Sequence, residues 1–440
     1  MSLKTEQEKK SASKSPYSEE CKKTFRYWRL RTLYSIIIGY STFYLVKQNF
    51  SYAIPGMLSD LHYTKTDIGL VISIPVVLYG ILKCLFGMIA DRNNVRYIMS
   101  VGLFLSAVMN IFMGLSSTIP AFIIFWSLNY CFQAVGVPSS VKLLKHWFSP
   151  VEIGTRWSLW SSSHEIGRMS TALLAMVVLP YFISWRYLFF IPAILAILSS
   201  ILIFNRLRDT PESLNLPSIE KMAGIETGNE DSTEPRLTYV EILKTALSNK
   251  FVWIVSVANF FLYFCKTTFL TWGPTFLMER GISMCQTTWQ MILLDAAGLI
   301  GGIGSGYLSD KVFKGRRGPI STMCMIALVA PVALLLASNS QSICSICMFC
   351  VGFVTSGPQL LIGIAATDFT SKKVAATANG FTGTLGYAGM AFSGVGTGLL
   401  VDHYGWNSVF FAIIFTALAS AALLSLTWNK KAAILEKTAK

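Results

Sequence analysis

Charge is what this chain has least of. Only 14% of its 440 residues are Asp, Glu, Lys or Arg, against about 25% in a typical soluble domain. Acidic residues are scarcer than basic ones, 23 against 37, and there are four histidines. The sequence shows no cluster of carboxylates and imidazoles at metal-binding spacing and no nucleophile–base pair. Neither a metal, a cofactor nor enzymatic activity is expected. Cys344, Cys347 and Cys350 stand three apart, but they open a helix without His or acidic neighbours. Most other cysteines lie in apolar runs, where cysteine acts as a small hydrophobe. Residues 1–29 are polar and lysine-rich, with no apolar core followed by a small-residue cleavage site, so no cleavable signal peptide is expected.

Hydrophobicity takes the place of charge: 53% of residues are apolar and the mean hydropathy is +0.52. Apolar segments of about 20 residues recur from Leu30 to Thr427, each long enough to cross a bilayer. Twelve spans are predicted, at 30–54, 67–90, 96–115, 119–146, 154–180, 185–206, 250–279, 287–308, 319–338, 341–367, 373–400 and 406–428. One long polar connection, 207–249, separates two groups of six, 30–206 and 250–428, flanked by tails at 1–29 and 429–440. The expected fold is an all-α membrane protein made of two six-helix bundles, with the lipid bilayer as its surroundings.

The net charge of +14 could suggest a nucleic-acid partner, but its distribution argues otherwise. The basic residues lie in the N-terminal tail and in the loops after even-numbered spans, at Arg92, Lys145, Arg206, Arg208, Lys311 to Arg317, and Lys372 with Lys373. The opposite loops carry little beyond Lys65, Arg186 and Arg280. This asymmetry predicts cytoplasmic termini and a cytoplasmic central loop, with no nucleic-acid partner.

The chain also repeats itself. An offset of 219 residues maps Tyr44 onto Tyr263, Lys47 onto Lys266, Gly87 onto Gly306 and Asp91 onto Asp310. Two halves of the same topology with motifs in phase imply a parallel pseudo-twofold about the membrane normal. Lys47 and Lys266 then face each other from the first helix of each half. A lysine inside a span costs about 2.5–3.5 kcal/mol on insertion scales, so it tends to face a wet cavity or a partner. Two ammonium groups facing one cavity suit a dianion, and phosphate supplies acceptor oxygens for both. The alternative is that each lysine snorkels to an interface.

Tyr40 and Tyr44 share the helix face of Lys47. They and Tyr263 can donate hydrogen bonds to phosphate or sugar hydroxyls, or simply pack between helices. Lys83, one turn after Tyr79, is a third cation on an apolar helix, suited to a cavity or to its mouth. His164 in span 5 can bind either protonation state of phosphate, or pack by bonding a neighbouring carbonyl. Glu165 and Arg168, nearly one turn apart, can neutralise each other. Asp295 in span 8 is the expected counter-charge for a cavity lysine. The loops Gly87–Arg92 and Gly306–Lys311 place Asp91, Arg92, Asp310 and Lys311 where a contact can break as the halves rock.

The paired glycine–aspartate loops resemble those of the major facilitator superfamily. The chain from about Tyr27 to Leu426 further resembles the organophosphate:phosphate antiporters, which include glycerol-3-phosphate and hexose-phosphate transporters. The likeness is carried by Gly39-Tyr40…Tyr44-Leu-Val-Lys47, Tyr79-Gly80…Lys83, Asp91-Arg92-Asn93, His146-Trp147 and Arg208-Asp-Thr-Pro211. It continues in Ser309-Asp-Lys-Val-Phe313, Gly357-Pro-Gln-Leu-Leu-Ile-Gly363 and Asn379-Gly-Phe-Thr-Gly383. Gly357–Gly363 looks like the bacterial hexose-phosphate branch, which holds both transporters and a membrane sensor. Eukaryotic glucose-6-phosphate translocases are similar too, through Lys266-Thr267.

The resemblance implies exchange of a sugar phosphate, glucose 6-phosphate foremost, for inorganic phosphate by alternating access, in a monomer of a bacterial inner membrane. It implies phosphoryl binding at Lys47 and Lys266, with family positions also at His164, Tyr40, Tyr44, Tyr79, Tyr263, Tyr387, Lys83 and Asp295. A sensor of external sugar phosphate and a carrier of glycerol 3-phosphate or another organic anion are the alternatives. The chain departs from the family at Lys47-Gln48, where relatives carry Arg-Lys. It departs also at Val137 for tryptophan, Ser161 for asparagine, Thr271 for aspartate and Ser356 for an aromatic residue. Lysine holds phosphate as a point charge, whereas arginine holds it through a fork.

Overall fold

The computed structural model describes residues 17–149, 152–182, 184–223, 239–338, 340–370 and 374–430. Side chains at 83–92, 220, 223, 239–240, 242 and 376 are not described. The expectations for Lys83, Asp91, Arg92, Lys372 and Lys373 therefore lie outside the described side chains, as do those for most of both tails.

Among the described residues, twelve helical units follow one another. They are α1 (Glu19–Leu61), α2 (Lys65–Arg92), α3 (Val95–Leu115), α4 (Ile119–Gln133 and Gly136–Trp147), α5 (Ile153–Ser161 and Ser163–Tyr181) and α6 (Tyr187–Arg206). The second half has α7 (Lys250–Glu279), α8 (Met284–Lys311), α9 (Gly318–Ala327 and Val329–Ala337), α10 (Gln341–Asp368), α11 (Ala375–Tyr404) and α12 (Trp406–Ser425). Short polar residues start them. Ser18 accepts from Cys21, Thr64 and Asp67 form a reciprocal capping box, and Asn249 accepts from Phe251.

Three boundaries differ from the sequence expectation. Helix α1 starts at Glu19 rather than near residue 30, because its extra turns are amphipathic and seat Phe25 against Trp147, with ring centroids 5.9 Å apart. Spans 4, 5 and 9 are each broken once, at Ala134–Val135, Ser162 and Leu328. The polar connection is not all loop, since helical turns occupy Pro211–Leu214, Ile219–Ala223 and Tyr239–Leu247.

Ten of the twelve units are long and apolar enough to cross a membrane, and α1 and α5 are not among them. Those two carry Lys47 and the His164-Glu165-Arg168 group. Two of the elements that build the site are thus among the more polar ones.

The 219-residue repeat reappears in the packing. A Cβ at Gly167 of α5 would sit 2.4 Å from the Tyr44 side chain of α1, and one at Gly386 of α11 would sit 3.2 Å from the Tyr263 ring of α7. Both glycines and both tyrosines are related by the same offset. Each half thus uses one glycine to let its fifth helix press onto the tyrosine face of its first.

The halves meet most closely at the face opposite the tails. There Asp402 of α11 accepts from the Thr66 backbone N–H at 2.7 Å and from its hydroxyl at 2.6 Å, at the start of α2. Lys65 pairs with Glu279 at 3.1 Å, and the Ser73 hydroxyl donates to the Ala391 carbonyl at 2.5 Å. Toward the tail face the picture changes. A Cβ at Gly304, Gly306, Gly380 or Gly383 would meet nothing within 4 Å.

Candidate functional site

Lys47 is placed by its backbone before its side chain. The Val46 carbonyl beside it accepts from Asn110 at 3.0 Å and Asn129 at 3.2 Å, which pins α1 to α3 and α4. Asn49 continues the net to Asn110 at 2.8 Å. These amides are buried and hydrogen-bonded, so they fix the register of α1 in a core that offers few other polar partners. The Lys47 ammonium then lies 4.5 Å from the centroid of Tyr130, 5.1 Å from Tyr79 and 5.7 Å from Tyr44. Three ring faces round one cation help offset its desolvation.

Lys266 is buried, at 9% exposure. Its ammonium donates to the Ser356 hydroxyl at 2.9 Å and to Gln359 Oε1 at 2.5 Å, both on α10. Gln359 Nε2 donates in turn to the Tyr263 hydroxyl at 3.1 Å. Both partners are neutral, so the ammonium is oriented while its charge stays available to an anion. Tyr79 and Tyr387 bridge the two sides across the interface with ring centroids 5.3 Å apart, and Tyr387 lies 6.4 Å from Tyr263. The tyrosine-lined wall runs from Lys47 to Lys266 without a break.

His164 lies tilted against Tyr40 and Tyr44, at 4.9 and 5.1 Å between centroids. Its Nδ1 is 2.6 Å from the Ser161 carbonyl and therefore donates, which leaves Nε2 as the ring nitrogen open to a ligand. The bond to its own helix is the packing arrangement that the sequence left open, and it also fixes the ring against the tyrosines.

The direct ion-pair partner of Asp295 is Arg168. Its carboxylate accepts from Arg168 Nε at 2.6 Å, because α8 packs directly on the second segment of α5. Arg168 also reaches Glu165 at 3.1 Å and lies 5.8 Å over the Tyr44 ring. A buried Arg168 bridging the halves was not foreseen; the sequence showed only its neighbour Glu165. Tyr130, Gln359 and Ser356 were likewise not recognised as site residues. Tyr130 sits in an ordinary apolar run, and nothing local marks it.

The Gly306–Lys311 motif ends in a cluster of charges. Asp310 lies in the last turn of α8, where Arg317 holds it and also reaches Asp368 of α10 at 3.4 Å. That bridge stays within one half, and Lys311 is exposed beside it. Among the described residues, the charged partner of Asp310 lies in its own half.

A family model described as Major Facilitator Superfamily matches residues 36–394. The chain is also 38% identical over 434 residues, 95% of each chain, to the probable hexose phosphate transport protein of Chlamydia trachomatis. This chain belongs to the Major Facilitator Superfamily. Within it, the chain falls in the organophosphate:phosphate antiporter branch. It is 38% identical to the glycerol-3-phosphate transporter of Bacillus subtilis, covering 91% of this chain and 92% of that one. It is 32% identical to the membrane sensor protein UhpC of Escherichia coli, with the same coverage.

In fold, this superfamily member is similar to a bacterial homolog of the human lysosomal transporter Spinster in an inward-facing, unoccupied conformation. The TM-score is 0.72, with 14% identity and coverage of 91% of this chain and 95% of that one. Membership makes it an integral membrane protein of transporter type rather than an enzyme.

Proposed function

We propose that this protein carries organic phosphate esters, a hexose phosphate such as glucose 6-phosphate foremost, in exchange for inorganic phosphate by alternating access. The observation that carries the reading is the pair Lys47 and Lys266. They are repeat-related cations on the first helix of each half, joined by tyrosines, with Lys47 ringed by aromatic faces and Lys266 oriented by Ser356 and Gln359. A phosphoryl dianion bound between them draws the two halves onto one ligand. A carrier without its anion lacks the ligand that joins the two halves and crosses its closed state reluctantly, which favours exchange over leak. The tyrosine hydroxyls and His164 Nε2 meet the remaining phosphate oxygens and the sugar. Residues 30–206 and 250–428 move as the two bodies. The tail face is the cytoplasmic one, on the Lys/Arg asymmetry of the loops, in a bacterial inner membrane.

Lys266→Ala abolishes exchange of labelled phosphate in phosphate-loaded proteoliposomes while leaving expression intact. Near-normal exchange in that variant overturns the two-cation mechanism. A second reading, a sensor of external sugar phosphate, is favoured by the likeness to the sensor protein of Escherichia coli. Binding of glucose 6-phosphate without counterflow of phosphate in the purified wild type selects the sensor.

A further inference from the structure

Four arginines gather where α1, α3 and α6 reach the tail face. Arg31 donates to the Asn205 carbonyl at 3.0 Å and to the Tyr27 hydroxyl at 2.9 Å. Arg208 donates to the same Asn205 carbonyl at 3.0 Å and to that of Leu207 at 2.7 Å. Arg96 donates to the Phe204 carbonyl at 2.6 Å, and Arg206 reaches the Tyr34 hydroxyl at 3.4 Å. Arg31 and Arg208 also share the Trp28 ring, at 4.4 and 5.1 Å.

Their partners are neutral. Among the described residues none of the four has a carboxylate within 4.0 Å. Asp209, next in the chain, is turned away to the Val95 N–H and Lys142. The C-terminal carbonyls of α6 supply only partial negative charge. The guanidinium groups feel one another: partial burial, then Arg96, then Arg31, pull the Arg208 pKa below its ordinary value. Arg31 Nε is buried without a hydrogen-bond partner. Each guanidinium carries five donors, so the cluster has far more donors than the protein fills.

The adjoining surface is apolar and exposed on the membrane side. Leu30 is 66% exposed, Ile201 54% and Tyr97 51%. Cations at the end of a lipid-facing apolar wall match an amphiphile with an anionic head, and a soluble anion would leave the wall unused. We infer that Arg31, Arg96, Arg206 and Arg208 form a binding site for the phosphodiester headgroup of an anionic phospholipid, whose acyl chains lie along α1, α3 and α6. Arginine suits this task because its planar fork pairs with two phosphate oxygens at once.

The test is native mass spectrometry of the full-length protein with phosphatidylglycerol and, in parallel, phosphatidylcholine. The wild type retains phosphatidylglycerol in preference to phosphatidylcholine, and millimolar inorganic phosphate does not displace it. Arg96→Gln/Arg208→Gln loses affinity by roughly fivefold per guanidinium removed, whereas Lys250→Gln, on the other half, does not. Arg206→Gln alone, at an exposed position with one long hydrogen bond, gives the single-site loss should the double variant fail to fold. Equal retention of both lipids, unchanged retention in Arg206→Gln and in any folded double variant, or displacement by inorganic phosphate overturns the assignment.

Discussion

Replacing Asp295 by asparagine tests what joins α5 to α8 in the middle of the molecule. The substitution keeps the shape of the side chain and removes its charge. Arg168 then retains Glu165, at 3.1 Å on its own helix, and keeps a neutral acceptor in place of the charged one 2.6 Å away on the other half. The Asp295 and Arg168 side chains are only 5% and 9% exposed, so water screens the guanidinium poorly once the opposing charge is gone. Removing one partner of a buried pair costs about 3–5 kcal/mol. Glu165 recovers part of that, which leaves an expected loss of about 2–3 kcal/mol for Asp295→Asn. Arg168→Gln costs a similar amount, because it strands a buried carboxylate. The double variant costs less than the sum of the two, since no charge is left facing an empty partner. The coupling energy across the cycle is about 2 kcal/mol. Denaturant titration in detergent micelles, followed by tryptophan fluorescence, measures each corner. Single effects that add to within about 0.5 kcal/mol refute the direct pairing.

At the face opposite the tails, Asp402→Asn loosens the contact with the start of α2. Labelling of a Gln48→Cys probe, whose native amide bonds the Leu270 carbonyl at 2.7 Å, by an impermeant maleimide should rise several-fold; unchanged labelling removes Asp402 from the closure. Glu152 lies in the loop before α5, where partial burial raises its pKa but the Arg29 hydrogen bond and charge, with Ser149, bring it below the ordinary value of 4.5. Its contribution is present above about pH 4.5 and fades as pH falls through the folded-state pKa, so the stability gap between wild type and Arg29→Gln narrows in acid. Melting curves from pH 7 downward check this, and a gap constant with pH contradicts it. Gly301→Ala forces a Cβ to 2.0 Å from the Phe353 carbonyl and should destabilise by about 3 kcal/mol. Gly304→Ala, which meets open space, should be near neutral, and equal effects on melting exclude close packing of α8 on α10 as the cause.

The sequence alone marked ten of the twelve helical units as long and apolar enough to span a bilayer and put Lys47 in phase with Lys266. Hydropathy and a fixed offset are one-dimensional properties, and the bilayer demands them whatever the packing. The offset also relates Gly167 to Gly386, a match whose meaning appeared only when both were seen against tyrosines. Even within the spans the signal was incomplete. Helix α1 reaches back to Glu19 because an amphipathic turn outside the membrane needs no apolar run.

Tertiary structure decided which charges meet. Asp295 and Arg168 are 127 residues apart, in different halves, and no periodicity announces a contact between helices α5 and α8. The amides under Val46, Asn110 and Asn129, could not be read as the clamp that holds Lys47, since their common acceptor is a backbone carbonyl. Gln48 is adjacent in sequence to Lys47, yet it turns to Leu270 across the interface, because neighbouring residues on a helix point about 100° apart. The arginines at the tail face showed first as a loop-charge bias. Only the convergence of three helices made them one cluster, with the nearest acid facing elsewhere.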